Sequence, residues 1–177
     1  MSREPIYQPE TSTWRVLLTQ GYEAVVDDVD AELAALTWTT MPDTNTVYAY
    51  RNITLGGKQT TVMLHRVILA LKLGRDLLAG EHVDHIDGDG LNNTRANLRV
   101  CSHGENSANR GKPSNNTSGL KGVDFHKASG KWRAQIAVNG TSKHLGLFTD
   151  KEAAYAAYCE AATQYHGEFA NNGVRDD

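Results

Sequence analysis

Four polar residues at fixed intervals carry the chemistry legible in this sequence. Asp84 and His85 are adjacent, Asn97 follows His85 by 12 residues, and Asn106 follows Asn97 by 9. An aspartate and an asparagine offer hard oxygen donors. They suit one divalent cation, Mg2+ or Mn2+, whose remaining positions go to water and phosphate oxygens. A histidine beside that carboxylate is placed to take a proton from an attacking water. The cation would stabilise charge growing on phosphorus and on the leaving oxygen. Each residue alone has a plainer use. An Asp-His pair at a strand end is commonly a surface feature, and Asn92, Asn93 and Asn97 are ordinary loop and turn residues. His65, His82 and His103 suit packing, capping or phosphate contact better than metal ligation. Only the ensemble points to hydrolysis of a phosphate ester.

The elements that must position the quartet lie in EHVDHIDGDGLNNTRANLRVCSHGENSANR, residues 81–110. The pattern predicts strand, loop, strand, helix. Val83 and Ile86 flank Asp84-His85 on the first strand, and a loop from Gly88 to Arg95 turns the chain. Leu98 and Val100 form the returning strand. Ser102 with Glu105 three residues on makes a capping box. Asn106 then falls in the first turns of a helix, facing back to the strands, so that its oxygen and that of Asp84 meet. Asn97 opens the second strand, where its amide can hold the loop and fix the orientation of His85. Upstream, strands are predicted over 14–18, 23–26, 47–51 and 60–64. Asp30 is expected to cap a short helix containing Leu33 and Leu36. A helix is expected over 65–73, stopped by Gly74.

Residues 65–110 resemble the HNH (ββα-metal) nucleases of phage and intron homing endonucleases. The family's Asp-His, central Asn and helix Asn appear as Asp84-His85, Asn97 and Asn106, and the LHRVI lead-in matches the family style. The resemblance implies that Asp84 and Asn106 bind metal, that His85 is the general base, and that Asn97 completes the catalytic set in a structural role. Asn106 replaces the family's final histidine, as is common in this branch. It also implies a homing or mobile endonuclease, encoded by a phage or its bacterial host, that leaves 3′-hydroxyl and 5′-phosphate ends.

Charge marks a second module. The net charge of −3 is unlike a DNA binder, yet residues 110–151 carry eight basic and two acidic groups, a net +6 within an otherwise acidic chain. Residues 111–118, rich in Gly, Pro, Ser and Asn, read as a linker. Beyond it the pattern predicts strands over 119–126, 131–138 and 141–148, the last two joined by the hairpin signal Asn139-Gly140. A helix is expected to open at Thr149, with Glu152 completing a capping box, and to run to about His166. Ala153, Ala157 and Ala161 would let it approach the sheet closely. The other sheet face is left polar and basic, with Lys121, His126, Lys131, Arg133, Gln135 and His144 as candidate DNA contacts, and Lys143 is a further candidate contact. The pieces KGV, GKWRAQI and HLGLF resemble the plant ethylene-response-factor (APETALA-type) DNA-binding domain. By that resemblance Lys121, Arg133, Gln135 and His144 lie on a base-reading face. Asp124, Ala137 and His144 depart from the plant pattern, so the plant target is not carried over.

The fold class expected is therefore α+β. A β-rich region at 1–64 supports an HNH unit at 65–110, and a small three-stranded antiparallel sheet on one helix occupies 119–172. Cys101 and Cys159 sit in no C-x-x-C pair, so neither a disulfide framework nor a structural zinc is expected, which suits a cytoplasmic protein. No run of 18 or more apolar residues is present and no membrane partner is expected. The partner expected is double-stranded DNA, met by a monomer or a homodimer. With one HNH site per chain, a monomer should nick one strand and a dimer could cut both. The rival readings are a DNA-binding regulator with an inactive HNH unit and a ββα unit that is purely structural.

Overall fold

The computed structural model describes residues 4–43 and 46–173. The chain divides into two compact units, Met1–Val100 and Cys101–Asp177. The division falls at the last residue of the second strand of the expected HNH hairpin, ahead of its helix and of the polar stretch 111–118.

The first unit begins with an antiparallel sheet of β1 (Ile6–Gln8), β2 (Thr13–Leu17) and β3 (Glu23–Asp27), in that order. Alternation places Val16 opposite Ala24, both buried, and leaves Arg15 and Glu23 outward as an ion pair. A short helix, α1 (Ala31–Ala34), leads to a second antiparallel sheet of β4 (Thr39–Pro42), β5 (Val47–Leu55) and β6 (Lys58–Met63). Neither β1 nor β4 was legible in the sequence: each is short, and β4 ends in a proline, which cannot donate to a sheet ladder. Helix α2 (Leu64–Leu73) buries Leu64, Ile68 and Leu69 and stops at Gly74, whose φ of 67° is left-handed. These side chains pack with Val16, Leu18, Val26, Trp38 and Leu98 in one core. Each such burial contributes roughly 1.5–3 kcal/mol. The hairpin β7 (His82–His85) and β8 (Leu98–Cys101) follows.

Asp30 does not cap α1 with its side chain. Its carboxylate is buried and receives the Arg95 guanidinium at 2.7 and 2.9 Å. A buried carboxylate needs a charged partner more than a short helix needs a cap.

In the second unit, helix α3 (His103–Asn109) opens with the expected capping box between Ser102 and Glu105. A three-stranded antiparallel sheet, β9 (Val123–His126), β10 (Lys131–Val138) and β11 (Thr141–Phe148), has β10 at its centre. Helix α4 (Lys151–His166) covers one face. Its cap is Asp150, which accepts from the Ala153 amide at 3.1 Å, and not Thr149. The start is displaced, and the buried stripe is Ala154, Tyr158, Ala161 and Ala162 in place of the 153/157/161 series. Tyr158 lies against Gly122, where a Cβ would stand 2.0 Å from the ring. Strand β9 starts at Val123 because the preceding residues form a turn. Ser118 is buried and its hydroxyl donates to the Val123 and Leu120 carbonyls, while Asn116 accepts from the Gly119 amide. Much of the expected linker is thus ordered by its own side chains. No helix of the described residues is long and apolar enough to cross a membrane.

Candidate functional site

In the first unit, β7 and β8 carry Asp84 and His85 to a buried position, with 2% and 6% of their surfaces exposed. Arg99 on β8 places Nε and a terminal nitrogen 2.8 and 2.7 Å from Asp84 Oδ2. The His85 ring lies among two others. His65 of α2 stands edge-on at 5.2 Å between centroids, and Tyr48 of β5 is 5.8 Å away. Burial lowers the His85 pKa, against the opposing pull of the Asn93 contact and of the carboxylates of Asp87, Asp84 and Asp89. A neutral imidazole is the form that accepts a proton. His65 is pushed down to about 3 by burial, then by His85 and Arg66, and its Nδ1 is buried without a hydrogen-bond partner.

The loop between the strands is held from two sides. Within it, Asn97 accepts from the Asp87 amide at 3.1 Å and donates to Asp87 Oδ1 and the Asn92 carbonyl at 2.9 and 2.8 Å. From outside, β3 pairs with the loop as a short parallel bridge between Val25 and Asn92. Val25 donates to Leu91 O and accepts from the Asn93 amide, both at 2.8 Å. Asp27 accepts from the Arg95 amide at 2.6 Å. The N-terminal sheet therefore splints the loop. Gly90 sits so close to β5 that an added Cβ would lie 2.5 Å from the Val47 carbonyl.

Asn93, which sequence reasoning left as a turn residue, is fully buried and places Oδ1 3.5 Å from His85 Nε2. Its own amide nitrogen donates to Leu91 O at 2.9 Å, which fixes the side chain with oxygen towards the histidine. Tyr48 and Arg99 were also missed. Type and spacing gave no signal for them, because one comes from a different sheet and the other looks like a surface strand residue. Asn106 lies half-buried on α3 of the second unit, its amide bonded to Ser102 O. Within each unit, the described residues bring no three His, Cys, Asp or Glu side chains together as a metal cluster. The acceptors offered by Asp84 and Asn106 are oxygens, the donor type a hard divalent ion takes.

In the second unit the register sorts the candidate DNA contacts. Lys131 pairs with His126, Arg133 with Asp124, and Gln135 with His144, so these side chains share the face opposite α4. Arg133 forms a two-pronged ion pair there with Asp124 at 3.1 and 2.9 Å, and both side chains stay partly exposed. His126 bonds Ser129 at 2.8 Å. Two further candidates lie off this face. Lys121 lies before β9 and donates to the Ala108 and Arg110 carbonyls, satisfying the end of α3. Lys143 sits opposite buried Ile136, on the helix side, with its ammonium 4.3 Å from the Tyr165 ring centroid. Arg133 and Gln135 also line a cleft of about 790 Å³ together with His103, Ser107 and Tyr165.

Comparisons with known proteins bear on the segment that holds Asp84 and His85. Residues 62–108 match the HNH endonuclease family. Protein 3.8 of Escherichia phage T7 is 37% identical over 91 residues, which cover 51% of this chain and 74% of that protein. An uncharacterized HNH endonuclease of Acanthamoeba polyphaga mimivirus is 31% identical over 109 residues, covering 62% of this chain and 56% of that protein. No solved structure matches the chain.

Proposed function

We propose, from the match of residues 62–108 to the HNH endonuclease family, that the chain is a metal-dependent endonuclease hydrolysing phosphodiester bonds of double-stranded DNA. The observation that carries the reading is His85: a buried imidazole, its pKa lowered by that burial, next to the buried carboxylate of Asp84 and in contact with Asn93. Because Asn93 turns its oxygen to Nε2, that nitrogen carries the proton and Nδ1 is the basic atom. His85 Nδ1 takes a proton from water as its oxygen bonds to phosphorus, the bond to O3′ breaks with its electron pair going to O3′, and that oxygen takes a proton from solvent, leaving 3′-hydroxyl and 5′-phosphate ends. Asp84 and Asn106 would hold the divalent ion, Mg2+ or Mn2+. When bound, it supplies charge stabilisation at the phosphoryl oxygens. Asn97 keeps the loop in shape, and Asn93 holds the base.

The polar sheet face of the second unit would hold the duplex through His126, Lys131, Arg133, Gln135 and His144. Glutamine and arginine suit adenine and guanine edges. With one His85 site per chain a monomer would nick one strand, and the resemblance to homing endonucleases supports the homing or mobile type.

The test is nicking of supercoiled plasmid by wild type and His85→Ala, with Mg2+, with Mn2+ and with chelator. Relaxed product from the wild type alone, and only with metal, is the expected result. The loss is expected to be about 10²–10⁴-fold, the range for a positioned general base. Equal nicking by both proteins would remove His85 from the mechanism. Binding of DNA without cutting, on plasmid and on phage genomic DNA alike, would favour a regulator.

A further inference from the structure

The β5–β6 hairpin has two halves with different surroundings. Its inner half belongs to the core: Ala49 is 1% exposed and Tyr48 lies against the His85 ring. Its outer half pairs Asn52 with Thr61, Ile53 with Thr60, Thr54 with Gln59 and Leu55 with Lys58, and closes through Gly56-Gly57. Those glycines have φ of 55° and 79°, the left-handed pair that a tight two-residue hairpin turn requires. Residues Lys58 to Thr61 are all exposed, so alternation leaves both faces of this strand end to solvent. A two-stranded ribbon with neither face covered adds nothing to a core and is marginal by itself.

The ribbon carries one cation, Lys58, and no Asp or Glu occurs from residue 44 to residue 75. Of the other cations of that stretch, Arg51 lies over Trp38, Lys72 donates to the Arg95 and Leu98 carbonyls and Arg75 pairs with Glu81. The rest of the first unit is acidic. Lys58 and Arg66 are exposed. One face of the ribbon continues directly from the candidate site. Tyr48, Tyr50, Asn52 and Thr54 point the same way, joined across the strand by Thr61 and Gln59. At about 6.8 Å per two residues, Thr54 stands about 20 Å along the strand from Tyr48. That is about six base-pair steps of 3.4 Å. Amides and hydroxyls are the side chains that meet base edges and phosphates, and the major groove admits a two-stranded ribbon.

We infer that the outer half of the β5–β6 hairpin is a second DNA-binding surface, holding the duplex a few base pairs from the bond on which His85 acts. The inference rests on the nuclease reading of the His85 site. It differs in assigning DNA contact to the first unit, independently of the basic sheet in the second. The partner is duplex DNA and not a protein, because the ribbon tip is polar and cationic with Leu55 its one strongly exposed apolar side chain.

The experiment uses the full chain in EDTA, where cutting does not interfere, with a fluorescein-labelled duplex of mixed sequence as the probe. Binding is read by anisotropy as salt is varied. Lys58, paired with Leu55 on the other face at the turn end, is placed to reach a phosphate at the groove wall, so Lys58→Gln should lower the slope of log affinity against log salt by about 0.9, one phosphate contact. A benzophenone photocrosslinker placed at Gln59 should label the duplex, whereas one at Glu32, exposed in the acidic part of the same unit, should not. An unchanged slope together with no crosslink from Gln59 overturns the proposal. Equal labelling from both positions overturns it as well, since contact would then be indiscriminate. The two readings fail separately. Loss of the ribbon contact with His85-dependent nicking intact removes only the ribbon, and a ribbon contact in a chain whose His85→Ala form still cuts removes only the catalytic assignment.

Discussion

In the first unit Arg15, Arg75, Arg95 and Arg99 each sit on a carboxylate of the same unit: Glu23, Glu81, Asp30 and Asp84. In the second, Lys131 and Lys127 stand exposed, and among the described arginines Arg133 with Asp124 makes the corresponding pair. The difference teaches what charge is for in each region. Around His85, these four arginines are internal ties that hold strands and a loop in one geometry, and the exposed Lys58 and Arg66 stand apart from them. On the basic sheet, charge is left where phosphate can reach it and exchange it for released counterions. Breaking the first kind of charge should therefore cost stability and geometry, and breaking the second should cost salt-dependent affinity and nothing else.

The largest effect expected is on the stability of the first unit in acid. His65 has a folded pKa of about 3 against 6.5 when exposed, so between those values the unfolded chain binds the extra proton. Stability is full above pH 6.5 and falls as pH drops towards 3, by on the order of 4 kcal/mol from this residue. His85, also lowered, acts in the same direction. Trp14 and Trp38 lie in the first unit and Trp132 in the second, so a Trp132→Phe chain reports the first unit by fluorescence. Denaturant titrations from pH 7 downward should show the decline, and His65→Phe should flatten it. A His65→Phe chain with the same decline would mean that the acid sensitivity lies elsewhere.

Next is Asn93→Ala, which removes the contact to His85 Nε2 and the tie to Leu91 while leaving Asp84 in place. Nicking should fall about a hundredfold, the order expected for a small misplacement of a reacting group. Affinity for duplex in EDTA should stay the same, because no phosphate contact has been touched. A parallel loss of affinity would make Asn93 a general structural residue.

Asp30→Ala is expected to cost about 3 kcal/mol, since it leaves the partly buried Arg95 without its partner. The loss should register in the Trp14/Trp38 signal and leave unfolding of the second unit, read by Trp132, unchanged. Equal destabilisation in both signals would erase the distinction drawn between the units.

How much of this was readable in advance depended on range. Local signals held: the Ser102–Glu105 capping box, the Asn139-Gly140 turn, the glycine stop of α2, and strands β10 and β11 at their observed limits. The spacing of Asp84, His85 and Asn97 placed them together on one hairpin and its loop. Contacts made between distant parts of the chain were not legible. Asp30 has the type and position of a helix cap, and only the folded chain brings Arg95, 65 residues on, to compete for it. Asn93 looks like any loop asparagine until β3 fixes its backbone. Lys121 and Lys143 counted as positive charge in composition, but one satisfies helix carbonyls and the other lies over a tyrosine.

That last pair allows the finest test of the comparison, because Lys131 and Lys143 are both exposed and differ in face. Lys131 stands opposite His126 on the polar side of β10. Lys143 is on the side of buried Ile136. If the polar face carries the duplex, Lys131→Gln should lower the salt slope of DNA binding by about 0.9, whereas Lys143→Gln should leave it unchanged. Neither change should shift stability by more than about 0.5 kcal/mol, the usual range for a surface substitution. Equal loss of slope from both would mean that phosphate is held around the edge of the sheet, and position on the polar face would no longer identify a DNA contact.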